Sequence, residues 1–316
     1  MPRAPSGGAD ERGRTSRGGA VRKVIPVVTA FGAEERLLGD VAITERELRC
    51  AHVRTAVLAG GEGPPVVLLH GAGEFAARWF GVIPALAGSH RVVAPDLPGH
   101  GSSGAADGRL DADRTTRWLD ELIAQTCAEP PTVVGHLLGG AVAARFAAAH
   151  PDRLARLVLV DSYGLTPFRP EPAFALALAG FVARPTERSR DRLFRQCVVE
   201  PDRLRDELGA AMTAFETHVL ATARRRRQKA ALRGLFTRLA LPAIPEADLA
   251  RIAVPTSLVW GREDRQARLR GAEAAHERYG WPLHIIEDSG ADPALERLEA
   301  FLTALRAALA EGGGRP

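Results

Sequence analysis

Lysine is almost missing from this chain: Lys23 and Lys229 are the only two among 42 basic side chains in 316 residues. Arginine carries nearly all of the positive charge, and the formal balance is only +4. Spread over this length, that excess is too thin for a nucleic-acid footprint unless it clusters. Long apolar runs are absent as well. None reaches the roughly 18–20 residues needed to span a bilayer, so no membrane partner is expected. Cysteine is scarce: Cys50, Cys127 and Cys197 lie far apart, with neither metal-ligand spacing nor an even disulfide framework. Reduced thiols in a cytoplasmic protein, with no metal and no cofactor, are the expectation. Residues 1–20 hold Pro, Gly, Ser and Arg with Asp10 and Glu11, and lack the apolar core of a signal peptide. They read as part of a disordered tail over residues 1–30, and residues 311–316 as a second loose end.

What is present is ample apolar content, 46% of residues, beside an ordinary 25% of charged ones. Two strands, Arg36–Ile43 and Glu47–Leu58, are expected before a Gly- and Pro-rich turn at Gly60–Pro65. Short apolar runs then alternate with helical patterns. Val66–His70 is followed by a helix from about Phe75 to Ala87, and Arg91–Pro95 by one from about Asp111 to Cys127. Wholly apolar strands of this kind mark a parallel sheet covered on both faces. The alternation continues through Leu154–Asp161 and then stops. From Leu165 to Ile252 only helical patterns occur, punctuated by prolines. It resumes at Thr256–Trp260, with a helix from about Leu269 to Tyr279, a strand at Leu283–Glu287 and a final helix at Pro293–Ala310. Repeating βα units predict an α/β class, a doubly wound and mostly parallel sheet. The core spans 31–164 and 253–310, and an all-helical insertion spans 165–252.

The centre of the chain is Pro131–Gly140, where the β-branched run Thr132-Val133-Val134 breaks into Gly135-His136-Leu137-Leu138-Gly139-Gly140 and then an Ala-rich helix. A strand, a tight glycine-flanked turn and a helix form a nucleophile elbow, which lifts one side chain above the sheet's end. The lifted residue here is Leu137, which can neither attack nor exchange a proton.

With these residues in place, the chain resembles the α/β-hydrolase superfamily from about Glu35 to Leu309. His70-Gly71-Ala72-Gly73 is similar to that family's oxyanion loop, and Asp96–Gly101 to its Asp-x-x-Gly-x-Gly turn. Gly135–Gly140 is similar to its Gly-His-Ser-x-Gly-Gly elbow, and Gly261-Arg262-Glu263-Asp264 to its acid-bearing loop. The resemblance implies an α/β-hydrolase fold with a helical cap at 165–252. It implies Asp264 as the catalytic acid and the backbone N–H groups of Ala72 and Leu138 as the oxyanion hole. It also exposes two departures. Leu137 replaces the nucleophile, and Ala291, in Ser289-Gly290-Ala291-Asp292, replaces the histidine. No histidine follows His284.

An acyl-enzyme on this elbow is therefore excluded as the expected route. Two readings remain open. One is an enzyme acting on a small apolar carbonyl or ester compound through the oxyanion donors and Asp264, whose pKa a closed apolar pocket would raise towards that of a general base. The other is a ligand-binding protein of hydrolase descent without turnover, to which Leu137 adds apolar contact. Either way the partner is a small molecule. Further pocket candidates are His70, Gly71, Glu74, Asp96, His136 and Tyr163. Each has a structural alternative: His70 shaping its loop, Glu74 capping a helix, Asp96 bracing its turn, His136 packed in the core and Tyr163 in a turn. Asp264 could instead pair with Arg262 or Arg265. The run Arg224–Arg227 reads as a solvated helix surface.

Overall fold

The computed structural model describes residues 43–104 and 111–310. The expected tails at 1–30 and 311–316, the start of the core at 31–42 and nearly all of the strand expected at Arg36–Ile43 lie outside the described residues.

The chain enters as a hairpin of β1 (Thr44–Cys50) and β2 (Val53–Gly60), with Cys50 opposite Val53. This corrects the expectation of a strand at Glu47–Leu58. The chain reverses at Ala51 and His52, whose φ values are 46° and 66°. A two-residue connection with both φ positive matches the strand twist. Neither residue is the glycine or asparagine that usually marks such a turn.

Six further strands follow: β3 (Pro65–Leu69), β4 (Arg91–Pro95), β5 (Thr132–His136), β6 (Arg156–Val160), β7 (Thr256–Gly261) and β8 (Leu283–Ile286). The sheet order is β1-β2-β4-β3-β5-β6-β7-β8, parallel from β4 onward and antiparallel at β1–β2 and β2–β4. The central strands are buried throughout because helices cover both faces. One face packs Trp118 and Phe146 into its core, and the other packs Trp79 and Phe301.

The covering helices are α1 (Val82–Ala87), α2 (Ala112–Thr126) and α3 (Leu138–Ala149). Asp111 caps α2 by accepting the Arg114 N–H at 2.9 Å. The helix expected over Phe75–Ala87 is two pieces, a 3₁₀ turn at Ala76–Trp79 and then α1. They meet at Gly81, where an added Cβ would lie 2.9 Å from the Leu298 side chain.

Between β6 and β7 there is no strand from residue 165 to 252. The insertion consists of α4 (Pro172–Ala183), α5 (Glu187–Cys197), α6 (Pro201–Leu208), α7 (Ala210–Arg224), α8 (Arg226–Leu235), a π-helical turn at Phe236–Ala240 and the short α9 (Glu246–Leu249). Prolines open α4 and α6 at their first turns, where the missing N–H costs nothing. Thr186 and Ser189 form a reciprocal cap on α5.

After β7 comes α10 (Arg270–Tyr279), and after β8 come α11 (Pro293–Glu296) and α12 (Leu298–Ala310). The single final helix expected at Pro293–Ala310 is broken at Arg297, whose φ of −140° leaves the helical region.

Candidate functional site: an elbow without its nucleophile

The glycines around the elbow are fixed by contact. A Cβ on Gly135 would meet the Gly139 carbonyl oxygen at 2.6 Å, and one on Gly139 would meet that of Leu69 at 2.5 Å. The turn closes only with hydrogen at both places. Between them Leu137 takes φ 46° and ψ −108°, a conformation that costs a side-chain-bearing residue of order 1–3 kcal/mol. Its N–H donates to the Val160 carbonyl at 3.0 Å and its carbonyl accepts from the Tyr163 N–H at 3.1 Å. The turn thus has the backbone of a strand–turn–helix elbow with an apolar side chain at its tip.

The Leu137 side chain is 5% exposed. It shares one apolar cluster with Leu138, Tyr163, Leu235, Leu239 and Ala240. Leu235 ends α8, and Leu239 and Ala240 belong to the π-helical turn, which packs on α3. The insertion therefore supplies apolar side chains to the surroundings of the elbow residue.

The oxyanion loop is rigid and polar underneath. The His70 Nδ1–H donates to the Gly71 carbonyl at 2.8 Å, and its Nε2 accepts the Leu97 N–H at 2.9 Å, which fixes the tautomer. Burial, followed by the neighbouring His100, pushes the imidazole down to about 3, so it stays neutral. His70 shapes the loop. Glu74, expected to cap a helix, instead accepts the Gly71 N–H at 2.7 Å. Asp96 braces its turn, taking the Ala76 N–H at 2.7 Å and the Ser102 N–H at 2.6 Å, and burial raises its pKa to about 6. The N–H groups of Ala72 and Leu138 have no protein acceptor among the described residues. Leu138 opens α3, where the first N–H groups are unpaired and the dipole favours an anion.

A buried ionic chain runs below this loop. Arg78 lies between Glu74, with Nε 3.1 Å from Oε2, and Asp292, which accepts from its Nη2. Burial opposes the charge on Glu74, but Arg78 and then His136 outweigh it and hold the carboxyl well below its usual range. His136 is buried, edge-on to Trp79, with Nδ1 3.3 Å from Glu74 and Nε2 donating to the Ala291 carbonyl at 2.7 Å.

Around Ala291, where the family resemblance implied a histidine, the packing is close. Ala291 is buried, and its N–H donates to the Cys197 carbonyl at 2.8 Å, at the end of α5. A Cβ on Gly290 would sit 2.3 Å from that same oxygen. Glu296 completes the junction by accepting the N–H groups of Val199 at 2.7 Å and Gly290 at 2.8 Å.

Asp264 does not pair with Arg262 or Arg265, which contact Glu287 and Glu171 instead. It accepts the N–H groups of Gln266 at 2.7 Å and Ala267 at 3.1 Å. Its remaining neighbour is Asp161, within hydrogen-bonding reach at the end of β6. Asp161 has φ 44°, accepts the Gly261 N–H at 2.9 Å through Oδ1, and has no donor for its buried Oδ2 among the described residues. Burial raises the pKa of both acids, and the Asp264 charge raises that of Asp161 further. One proton held on Asp161 and donated to Asp264 satisfies the pair. Tyr163, two residues further along the chain, donates its hydroxyl to the Gln266 side chain at 2.7 Å.

The structure thus gathers His70, Gly71, Glu74, Asp96 and His136 around one loop, and Tyr163 with Asp264 on the other side of Leu137. Arg78, Glu296 and the Cys197 carbonyl carry no sequence signal, because each has a partner 94 or more residues away. Asp161 had one: a carboxylate just past a buried strand at the sheet's ligand-binding edge.

Comparison with known proteins agrees with this geometry. A model of the alpha/beta hydrolase family matches residues 66–304. The chain belongs to the α/β-hydrolase family. A pimeloyl-[acyl-carrier protein] methyl ester esterase of Aeromonas hydrophila is 34% identical over 77% of this chain and 94% of its own length. An uncharacterised protein of Mycobacterium tuberculosis is 30% identical over 88% and 90%. Among solved structures, the 2-hydroxy-6-oxo-6-phenylhexa-2,4-dienoate hydrolase of Rhodococcus sp. strain RHA1 superposes with a TM-score of 0.76 at 25% identity, over 85% of this chain and 99% of that one. Within this α/β-hydrolase, no helix among the described residues is long and apolar enough to cross a membrane. The described residues also hold no group of three His, Cys, Asp or Glu side chains arranged for a metal ion.

Proposed function

We propose that this α/β-hydrolase-family chain binds a small, largely apolar molecule between its core and its helical cap, and does not turn it over through an acyl-enzyme. The observation that carries this reading is the setting of Leu137. The strained elbow is retained, yet its tip is a buried apolar side chain that belongs to the same apolar cluster as Leu235 and Leu239 of the cap. Two further observations support it. Ala291 is packed under the Cys197 carbonyl, and the Asp264 carboxylate is occupied by two N–H groups and Asp161, with no histidine to orient.

The test is ester and enol-ester turnover by purified protein beside the double variant Leu137→Ser, Ala291→His, together with a thermal-shift screen of small apolar carbonyl compounds. A ligand at a hundred times its Kd stabilises by about 2.7 kcal/mol, a readily measured rise in Tm. The expected result is no turnover by the wild type and a Tm rise with one ligand class.

One observation favours a second reading, in which Asp264 acts as general base on a water molecule beside the Ala72 and Leu138 donors. Burial raises the Asp264 pKa towards the range where a base works at neutral pH. Wild-type turnover that Asp264→Asn abolishes would establish this reading and remove the first.

A further inference from the structure

A cavity of about 330 Å³ opens between the loop after β6, the start of α10 and the π-helical turn. It is at the small end of the range for ligand sites, about 300–1,000 Å³. Three arginines line it, Arg169 from one side and Arg268 and Arg270 from the other. Among the described residues none of the three has a carboxylate partner. Glu171, close in sequence to Arg169, is 4.0 Å from Arg265. Arg169 and Arg270 are exposed and Arg268 is half-buried, and together they give the concavity a positive field that favours an anion.

Two further observations point to the same ligand. Gln266 is 7% exposed and lines the cavity. Its Oε1 is taken by the Tyr163 hydroxyl, which leaves the carboxamide N–H₂ with no protein acceptor among the described residues. That N–H₂ is a donor available to a ligand oxygen in the cavity. The start of α10 has an acid in its first turn, Glu273, but no capping side chain. Its N-cap is Leu269, which offers no side-chain acceptor, and Arg268 and Arg270 flank it at the positive end of the helix dipole. The floor is aromatic: Tyr163 and Phe168 meet edge to face with centroids 5.2 Å apart.

We propose that this cavity binds a small organic carboxylate with a flat apolar body, the carboxylate held by Arg268, Arg270 and Arg169 with the Gln266 amide, and the body laid on Phe168 and Tyr163. Guanidinium forks match a planar carboxylate through paired hydrogen bonds. The proposal rests on the binding reading above and names the ligand class for it.

The test uses the full chain with four probes: benzoate, its neutral analogue benzamide, phenyl phosphate and inorganic sulfate. Binding is followed by calorimetry and thermal shift, and ester turnover is measured on the same preparation. Benzoate is expected to bind and raise Tm, with benzamide and sulfate at least tenfold weaker. Arg268→Gln and Arg270→Gln should each weaken benzoate about tenfold, about 1.4 kcal/mol. Arg306→Gln, an exposed charge-matched control on α12, should change nothing. The three cavity arginines make no internal side-chain bond, so their variants keep the fold. Equal binding of benzoate and benzamide, unaltered by the arginine variants, overturns the anion assignment while leaving the binding reading standing. Phenyl phosphate binding tenfold tighter than benzoate overturns the carboxylate class. Absence of benzoate binding overturns the proposal. Ester turnover by the wild type overturns the no-turnover reading without touching this one.

Discussion

The Nε2–H of His136 donates to the carbonyl oxygen of Ala291 at 2.7 Å. One residue precedes the elbow and the other occupies the place of the missing histidine. The bond ties the end of β5 to the loop after β8, and Arg78 reinforces it by joining Glu74 to Asp292. These side chains form a connected set of structural contacts, and the predictions below follow from that.

Arg78 is 4% exposed and holds two carboxylates. Arg78→Met should cost about 3–5 kcal/mol, because it leaves buried charges uncompensated. Adding Glu74→Gln and Asp292→Asn to the same chain should recover part of the loss. Urea unfolding of the single and triple variants measures both. Equal stability of Arg78→Met and wild type would sink the idea of a buried ionic chain.

Leu137 combines a strained backbone with a buried side chain, and the two effects can be separated. Leu137→Ala should destabilise by about 2–4 kcal/mol through loss of buried methyl groups. Leu137→Gly removes the same contacts but relieves the φ of 46°. Glycine should therefore be less destabilising than alanine here, by about 1 kcal/mol, the reverse of their order at ordinary positions. Chemical denaturation of the two variants decides the sign.

Glu296 should give stability a downward slope with rising pH. Burial, reinforced by Asp292, raises its pKa to about 8, above the usual glutamate value. The folded state then holds a proton that the unfolded chain has released. That contribution is complete below about pH 4 and is lost as pH rises towards 8. Glu296→Gln should flatten the slope between pH 5 and 8 and cost about 1 kcal/mol overall, since its N–H₂ cannot accept one of the two N–H groups. The difference between the two pH–stability curves is the measurement.

His70 acts in the opposite sense. Its folded pKa, pushed down to about 3 by burial, lies below the unfolded value. Stability from the neutral ring is present above about pH 6.5 and lost as pH falls towards 3. The ring proton resonances of His70 should stay constant between pH 5 and 8 by NMR. A midpoint near 6 would contradict the buried hydrogen bonds to Gly71 and Leu97.

Much of the fold could be read directly. Short β-branched runs with glycines at their ends are local signals, and they place β3 through β8, the elbow and the helical insertion. Leu137 and Ala291 were visible as substitutions because the motifs around them are contiguous. The hairpin turn at Ala51-His52 was not legible, since tertiary pairing forces two ordinary residues into left-handed geometry. Nor were the breaks at Gly81 and Arg297, which answer to packing and not to helix propensity.

Sequence alone decided which side chains stand at the elbow tip and at position 291, because each is a property of one residue. Only the tertiary structure decided what fills the space. Glu74 turned from a helix cap into a partner of Arg78, Asp264 from an arginine partner into a partner of Asp161, and Leu137 into a core residue. Each change depends on side chains brought together from distant segments, and burial then sets their charge by removing water.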